Sequence, residues 1–324
     1  MKVFAKGFLV CLFIVLLILP VGCSLPAQLP SEVAGNVDLW VTRDFGTEDI
    51  FCSGVTLTPN QSLLALLQEH LDIETEYGGG FVSAIEGYRS GFSGKTDGEQ
   101  GAADWFLYIN GILTDQGAAA YLPGEGDIIW WDFHPWDDIA FTPAAVGAFP
   151  QPFGGGGEGK GRETLILAGE GCSEWAEKLA GFLEETGAGP VQVAPYTEAA
   201  AAERSQAVLV LAFWELLCQS PFWEDIQEHR DKTGWFAELT PGIFYPLNKY
   251  GQRMGGGFGE KTGALLATGM GLGDPHPLWL ITATDMEGLA GLVGNLVTGP
   301  EQFSRMIGAL VVDGQIIRLP MQTN

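Results

Sequence analysis

From residue 36 onward the apolar positions fall into short periodic blocks. Val37, Leu39 and Val41 recur every second residue, the spacing of a half-buried strand, and Ile50–Leu57 predicts a second strand closing a hairpin with it. Asn60 stands where a cap is needed for a helix with Leu63, Leu64, Leu67 and Leu71 on one face. A glycine turn at Gly78–Gly80 leads into an apolar strand over Phe81–Ile85. Further strands are expected at Trp105–Asn110 and Ile128–Phe133. Asn110-Gly111, set between Tyr108-Ile109 and Ile112-Leu113, has the residues of a tight hairpin turn. Hairpin, helix, then more strands is the order of an α+β, β-grasp-like domain over 36–141.

The pattern changes after residue 141. Pro143, Pro150, Pro152 and Gly154–Gly157 fall within 142–161, the composition of a flexible linker. From 162 to 324 apolar strands alternate with amphipathic helices. Thr164–Ala168, Val191–Ala194, Ala207–Phe213 and Leu278–Thr282 read as strands, the third almost wholly apolar as in a buried parallel sheet. A helix is expected over Ser173–Thr186 and another beginning at Asp285, a favourable N-cap. Ala309–Val312, Asp313-Gly314 and Gln315–Leu319 make a closing hairpin. This alternation predicts an α/β, Rossmann-like layered domain.

The N-terminus is of another kind. Lys2 and Lys6 precede an apolar run from Phe8 to Leu19, and Pro20-Val21-Gly22-Cys23-Ser24 closes it. A basic start, a short apolar stretch and small residues describe a signal peptide over 1–22. As helix the run rises only ~18 Å, against a hydrocarbon core of ~30 Å, so a permanent span is not expected. Gly22-Cys23 resembles a bacterial lipobox, although Pro20 departs from its usual pattern, and lipidation of Cys23 is the expectation. Residues 23–35 then form a tether rich in proline and small residues. The resulting protein is anchored by lipid to the cell membrane on its extracytoplasmic face.

Composition narrows the partners. Hydrophobic content of 46% with ten Trp and nineteen Phe argues for packed cores. A formal charge of −24 repels phosphate backbones, so nucleic acid is excluded as a partner, and the tether rather than the surface holds the chain at anionic lipid. Beyond Cys11 and Cys23 there remain Cys52, Cys172 and Cys218, without C-x-x-C spacing; Cys172 and Cys218 are either a disulfide or two small buried thiols.

Three spaced stretches carry a family resemblance. They are Asp104–Gly111, an aromatic strand ending in a small turn; Gly117–Pro123, a G-x-x-x-Y segment; and Gly126–Trp130, a G-D turn into a strand. Together with the leucine-rich helix and the Tyr77–Gly87 segment before them, they resemble the transcobalamin C-terminal-like domain family over about residues 36–138. In the vitamin carriers of that family the domain closes over cobalamin against a larger helical domain, which has no counterpart here. The resemblance therefore implies a soluble-ligand-binding domain, with a corrinoid or another planar small molecule as the ligand. No family is recognised over 162–324.

Other chemistry finds little support. Gly94-Lys95-Thr96 ends like a phosphate loop, but Arg89 occupies a required glycine position, and Glu260 interrupts the Gly255–Gly263 segment. Gly169-Glu170-Gly171 lacks the third glycine of a dinucleotide turn. His70, His134, His229 and His276 share no metal-ligand spacing, so no metal is expected; His134, among aromatic residues, reads as a packed ring or as an axial ligand to cobalt. The acidic groups Asp97, Glu99, Asp104 and Asp132, Asp137, Asp138 lack calcium-loop spacing and read as solvated faces. No nucleophile motif occurs, and no enzyme activity is expected. Trp130 and Trp131 point to opposite sides of one strand, so one of them is expected to be exposed or to line a site, the alternative being that the other domain or the linker covers it. The expected ligand-facing residues are Tyr77, Gly79, Phe81, Trp105, Trp131 and Trp136. The function read from the chain is ligand capture by a surface lipoprotein that delivers to a membrane transporter, with no cofactor other than a corrinoid as ligand. The alternative is a cell-surface structural or protein-interaction module.

Overall fold

In the five-stranded sheet that organises the first half of the chain, a parallel pair sits at the centre. β1 (Gly35–Arg43) pairs antiparallel with β2 (Glu48–Leu57) on one side and parallel with β8 (Ile128–Pro135) on the other. β8 pairs antiparallel with β6 (Ala103–Ile109), which turns through Asn110-Gly111 into β7 (Ile112–Leu113). Asn110 and Gly111 both take positive φ, 53° and 79°, as a two-residue hairpin requires. The computed structural model describes residues 34–91, 103–136, 139, 141–154 and 161–322. The leader, Cys23, the tether up to residue 33, Gly94-Lys95-Thr96, Asp97, Glu99, Asp137, Asp138 and Gly155–Gly157 lie outside the described residues, while Gly35, expected in the tether, opens β1.

Helix α1 (Leu63–His70) follows β2. Its cap is Ser62, whose hydroxyl accepts from the Ala65 amide at 3.2 Å, and not Asn60. Asn60 instead takes φ of 59° in the turn that Gln61 closes onto Thr58. Leu63, Leu66 and Leu67 are the buried residues of the helix, so its inward face is rotated slightly from the expected one. β3 (Ile73–Glu76), β4 (Phe81–Ile85) and β5 (Tyr88–Arg89) form a small antiparallel sheet beside it.

The second half is built on a seven-stranded mixed sheet in the order β10-β9-β11-β15-β14-β16-β17. β9 (Thr164–Ala168), β10 (Val191–Pro195), β11 (Ala207–Leu211) and β15 (Leu278–Ala283) are parallel. β14 (Thr262–Thr268), β16 (Gly308–Val312) and β17 (Gln315–Leu319) continue the sheet antiparallel. Helices α2 (Ser173–Glu185) and α7 (Met286–Thr298) pack on one face, and the Asp285 side chain caps α7 through the Gly288 amide at 2.7 Å. Between β10 and β14 run the short helices α3 (Glu198–Ala202), α4 (Trp214–Leu217), α5 (Pro221–Glu228) and α6 (Arg230–Thr233), then the hairpin β12 (Ala237–Thr240) and β13 (Ile243–Pro246).

Both faces of the five-stranded sheet are covered, which answers the question posed by adjacent tryptophans. Trp131, with Leu39, Val41, Trp105 and Leu107, packs under α1 and β4. Trp130, with Trp40 and Tyr108, packs against the second half in a core shared with Val210, Trp235, Phe236 and Leu266. Neither Trp130 nor Trp131 is exposed, because one half of the chain closes over the face the other half leaves bare, the second of the two expected outcomes. Each such large side chain contributes about 1.5–3 kcal/mol through the area it removes from water.

The stretch expected to be a flexible linker is also packed where it is described. Thr142–Phe149, Phe153 and Gly154 are buried. The Leu113 amide donates to Pro143 at 3.0 Å, the Ala145 amide to Gly111 at 2.8 Å and the Gly147 amide to Met306 at 2.8 Å. The prolines fix turns in a chain segment whose apolar side chains Val146, Phe149 and Phe153 fill the core beside α2 and α7. Residues Val33–Asn324 form one compact unit.

Candidate functional site

The tight turn between β6 and β7 is the floor of a cleft of about 490 Å³. The Asn110 side chain is fixed there twice: its Oδ1 accepts from the Ile128 amide at 2.9 Å and its Nδ2 donates to Asp127 at 2.8 Å. Asp127, only 1% exposed, also accepts from the Tyr121 hydroxyl at 2.7 Å and the Gly124 amide at 2.9 Å. One carboxylate thus ties three sequence motifs into one wall: the Asn-Gly turn, the G-x-x-x-Y segment and the G-D turn. The wall stands on α1, whose Leu63 and Leu64 amides donate to the Tyr121 and Ala118 carbonyls at 2.9 Å each. These are amides that the first turn of a helix leaves without an internal partner.

The opposite wall comes from the second half. It holds Gln151, Pro152, Gly154, Arg162, Gly273 and Asp274. Asp274 is buried and accepts from the Met270 and His276 amides at 2.8 and 2.9 Å and from Arg204 at 3.3 Å. The Arg162 guanidinium donates to the Pro275 carbonyl at 2.6 Å. Burial pulls its pKa down, with Asp274 and Tyr121 acting in the opposite sense. An arginine starts so far above neutrality that the group stays charged. Among the described residues it is the one cationic side chain of the lining.

The lining is rich in hydrogen-bonding groups, with Thr114, Asp115 and Gln116 completing it, while Leu122 at the edge is 58% exposed. The loop supplying Gly273 and Asp274 also carries the exposed Met270 and Leu272. Among the described residues no histidine or cysteine lines the cleft. It offers amide and guanidinium donors, carboxylate and carbonyl acceptors, and an apolar margin. Among the described residues no three His, Cys, Asp or Glu side chains gather to hold a metal ion.

The residues expected to face a ligand are distributed differently. Tyr77, 81% exposed, and Gly79 form the turn after β3, and this turn abuts the cleft wall, since a Cβ on Gly117 would lie 3.2 Å from the Gly80 carbonyl. Phe81 is half-buried at the start of β4. Trp105 and Trp131 are core residues in edge-to-face contact at 6.5 Å, and the Trp105 indole donates to the Tyr88 carbonyl at 2.9 Å. Trp136 is 44% exposed but leaves β8 at the end opposite the cleft, ~25 Å of extended strand away. The cleft residues missed in the sequence, Asp127, Arg162, Gln151 and Asp274, come from four separate segments. Only the G-D turn gave a local signal for any of them.

Several other candidates resolve as packing. His134 is buried, stacked on Phe106 at 3.9 Å and Phe45 at 4.1 Å, with Nδ1 2.7 Å from Asp132. Asp132 is no part of a solvated acidic face: it is fully buried and accepts from Thr42, Phe45 and Gly46. In the Gly255–Gly263 segment the Lys261 ammonium pairs with Glu287 at 2.9 Å. Cys52, Cys172 and Cys218 are free thiols.

Comparison with known proteins finds a family similar to part of the chain. The family described as "Domain of unknown function (DUF4430)" matches residues 60–135, which hold α1, β3–β8 and the first wall of the cleft. Among solved structures, haptocorrin in complex with Cbi is similar at 14% identity and a TM-score of 0.24, over 31% of this chain and 25% of that one. No curated protein matches.

Proposed function

We propose that this chain is a lipid-anchored, extracytoplasmic binding protein that captures a small molecule in the cleft between its two halves. The observation that carries the reading is the cleft itself, a compact recess lined from both halves, where an interaction module would instead offer a broad apolar face. Its volume of about 490 Å³ lies within the range of small-molecule sites. In this reading the first half is β-grasp-like, the second is Rossmann-like, and Cys23 carries the lipid after removal of residues 1–22. The ligand class favoured by the transcobalamin-like sequence pattern is a corrinoid or another planar molecule. Its peripheral amides would meet Asn110, Gln116, Gln151 and Arg162, and a membrane transporter would receive it.

The test is a titration of the protein with cobinamide and cobalamin, followed by calorimetry and absorbance. Affinity of about micromolar or better is expected for one of them, weakened roughly tenfold by Asp115→Ala with Gln116→Ala, two exposed lining positions whose loss leaves the core intact. Trp136→Ala should have no effect, because Trp136 lies at the far end of β8. Absence of binding to both compounds would remove the corrinoid class and favour the interaction module. Binding lost in Trp136→Ala but kept in the cleft variant would move the site away from the cleft. Cys23→Ala should release the protein from the membrane fraction; retention there would sink the lipid anchor.

A further inference from the structure

A second cavity, of about 540 Å³, shares no lining residue with the cleft. It opens at the carboxyl ends of β9 and β10, and its position follows from the path of the chain. β9 has β10 on one side and β11 on the other, and the chain passes from β10 through α3 to β11. The strand order therefore reverses at β9, and at such a reversal the loops leaving adjacent strands part and open a crevice. Gly169, the first residue past β9, fixes the geometry. Its amide donates to Leu211 at 2.8 Å, and a Cβ there would sit 2.7 Å from the Ala212 Cβ. The strand ends are thus pressed together, and the connections beyond them diverge.

The lining decides what the cavity can hold. Ala168, Val193, Ala194, Pro195 and Leu216 supply an apolar wall, with Leu216 49% exposed. The Tyr196 ring closes one side, held by a hydrogen bond from the Trp223 indole to its hydroxyl at 2.8 Å. Among the described residues the only charged groups of the lining are the carboxylates of Glu170 and Glu177, with no lysine or arginine. The Gly169-Glu170-Gly171 turn at the start of α2 has the look of a phosphate cradle. Glu170 and Glu177, joined by Glu174 in the first helical turn, set negative charge where a phosphate would lie. A cation with an apolar body meets the opposite situation: two carboxylates, an aromatic face and an aliphatic wall.

We infer that this cavity is a second ligand site, taking a small organic amine whose ammonium lies between Glu170 and Glu177 and whose apolar part rests on Tyr196 and Leu216. The full chain in detergent is titrated by calorimetry with phenethylamine, 2-phenylethanol and 3-phenylpropionate, which share a body and differ in charge. Phenethylamine should bind and the other two should not. Glu170→Gln and Glu177→Gln should each weaken it about fivefold, the size expected of a partly exposed ion pair. Leu216→Ala, at an exposed position, should weaken it as well. Glu184→Gln with Glu185→Gln, at the exposed far end of α2, should change nothing, and nor should Asp115→Ala with Gln116→Ala in the cleft. Equal binding of all three probes, no binding of the amine, or equal sensitivity to the Glu184 and Glu185 controls would overturn the site, the last by showing only diffuse attraction to an acidic protein. Because the two cavities share no residue, loss of the amine site leaves the cleft standing, and the converse holds.

Discussion

Tyr108 projects from β6 on the Trp130 side of the sheet and is fully buried, with its hydroxyl hydrogen-bonded to that of Thr142. Burial pushes its phenol far above the ordinary range, with the Thr142 hydrogen bond opposing and Asp132 adding to the rise. The consequence for stability has a definite sign. A folded phenol that resists ionisation contributes stability that is complete below the unfolded value of ~10 and is lost as pH rises through the folded value. Tyr108→Phe should therefore cost about 0.5–1.5 kcal/mol near neutrality through the lost hydrogen bond, and should flatten the loss of stability above pH ~10. Urea denaturation at pH ~8 and ~10.5 would measure both effects. Tyr196, also raised by burial, leaves a residual alkaline slope. An unchanged difference between the two pH values would show that the phenol is not the group responsible.

At the scale of elements, the segment 142–154 contrasts most with its composition. Phe153 is fully buried, edge-on to Trp279 at 5.0 Å, and Phe149 lies 5.8 Å from the same indole. Phe153→Ala should destabilise the protein by about 3–5 kcal/mol, read from the denaturation midpoint, as for a large core truncation; a change below ~1 kcal/mol would fit a mobile linker and contradict the packing. Composition misled here because prolines and glycines mark any chain that turns, packed or loose. Elsewhere the local signals were informative where one residue pattern decides. Asn110-Gly111 and Asp313-Gly314 turn as expected with positive φ, Phe81–Ile85 and Thr164–Ala168 are strands, and Asp285 caps α7. β14 was not legible, since Thr262–Thr268 is buried on both faces, begins and ends in threonine and follows a glycine-rich stretch, so no period distinguishes it. That β14, β16 and β17 extend the sheet antiparallel depends on long-range pairing, which strand–helix alternation does not encode. The cleft was half visible for the same reason: its first wall comes from turn motifs, its second from residues that only tertiary packing brings opposite them.

For the molecule as a whole, the two sequence patterns meet in one core. Trp40, Phe45, Tyr108 and Trp130 from the first half share a cluster with Val210, Trp235, Phe236, Leu266 and Leu310 from the second. Separating the halves would bare that face on both sides, and an apolar surface of this kind is stable only when covered. The buried Asp132 adds to the coupling. It accepts from the Phe45 and Gly46 amides, fixing the loop whose Phe45 ring meets Phe236 edge-on at 5.3 Å. Ion pairs across the seam, such as Arg305–Asp49 at 3.4 Å and Lys249–Asp44 at 3.7 Å, are partly exposed and contribute little by comparison. The protein should therefore unfold in a single transition, with the same midpoint by tryptophan fluorescence and by far-ultraviolet circular dichroism. Residues 34–138 expressed alone should not reach that cooperativity and should bind a dye specific for exposed apolar surface. Two resolved transitions in the full chain, or a fragment that melts cooperatively without binding the dye, would mean that each half carries a sufficient core and that the cleft opens between independent bodies. A single transition would make the cleft a rigid feature, with walls held at a fixed spacing by the Trp130 face, so that its affinity would not depend on domain closure.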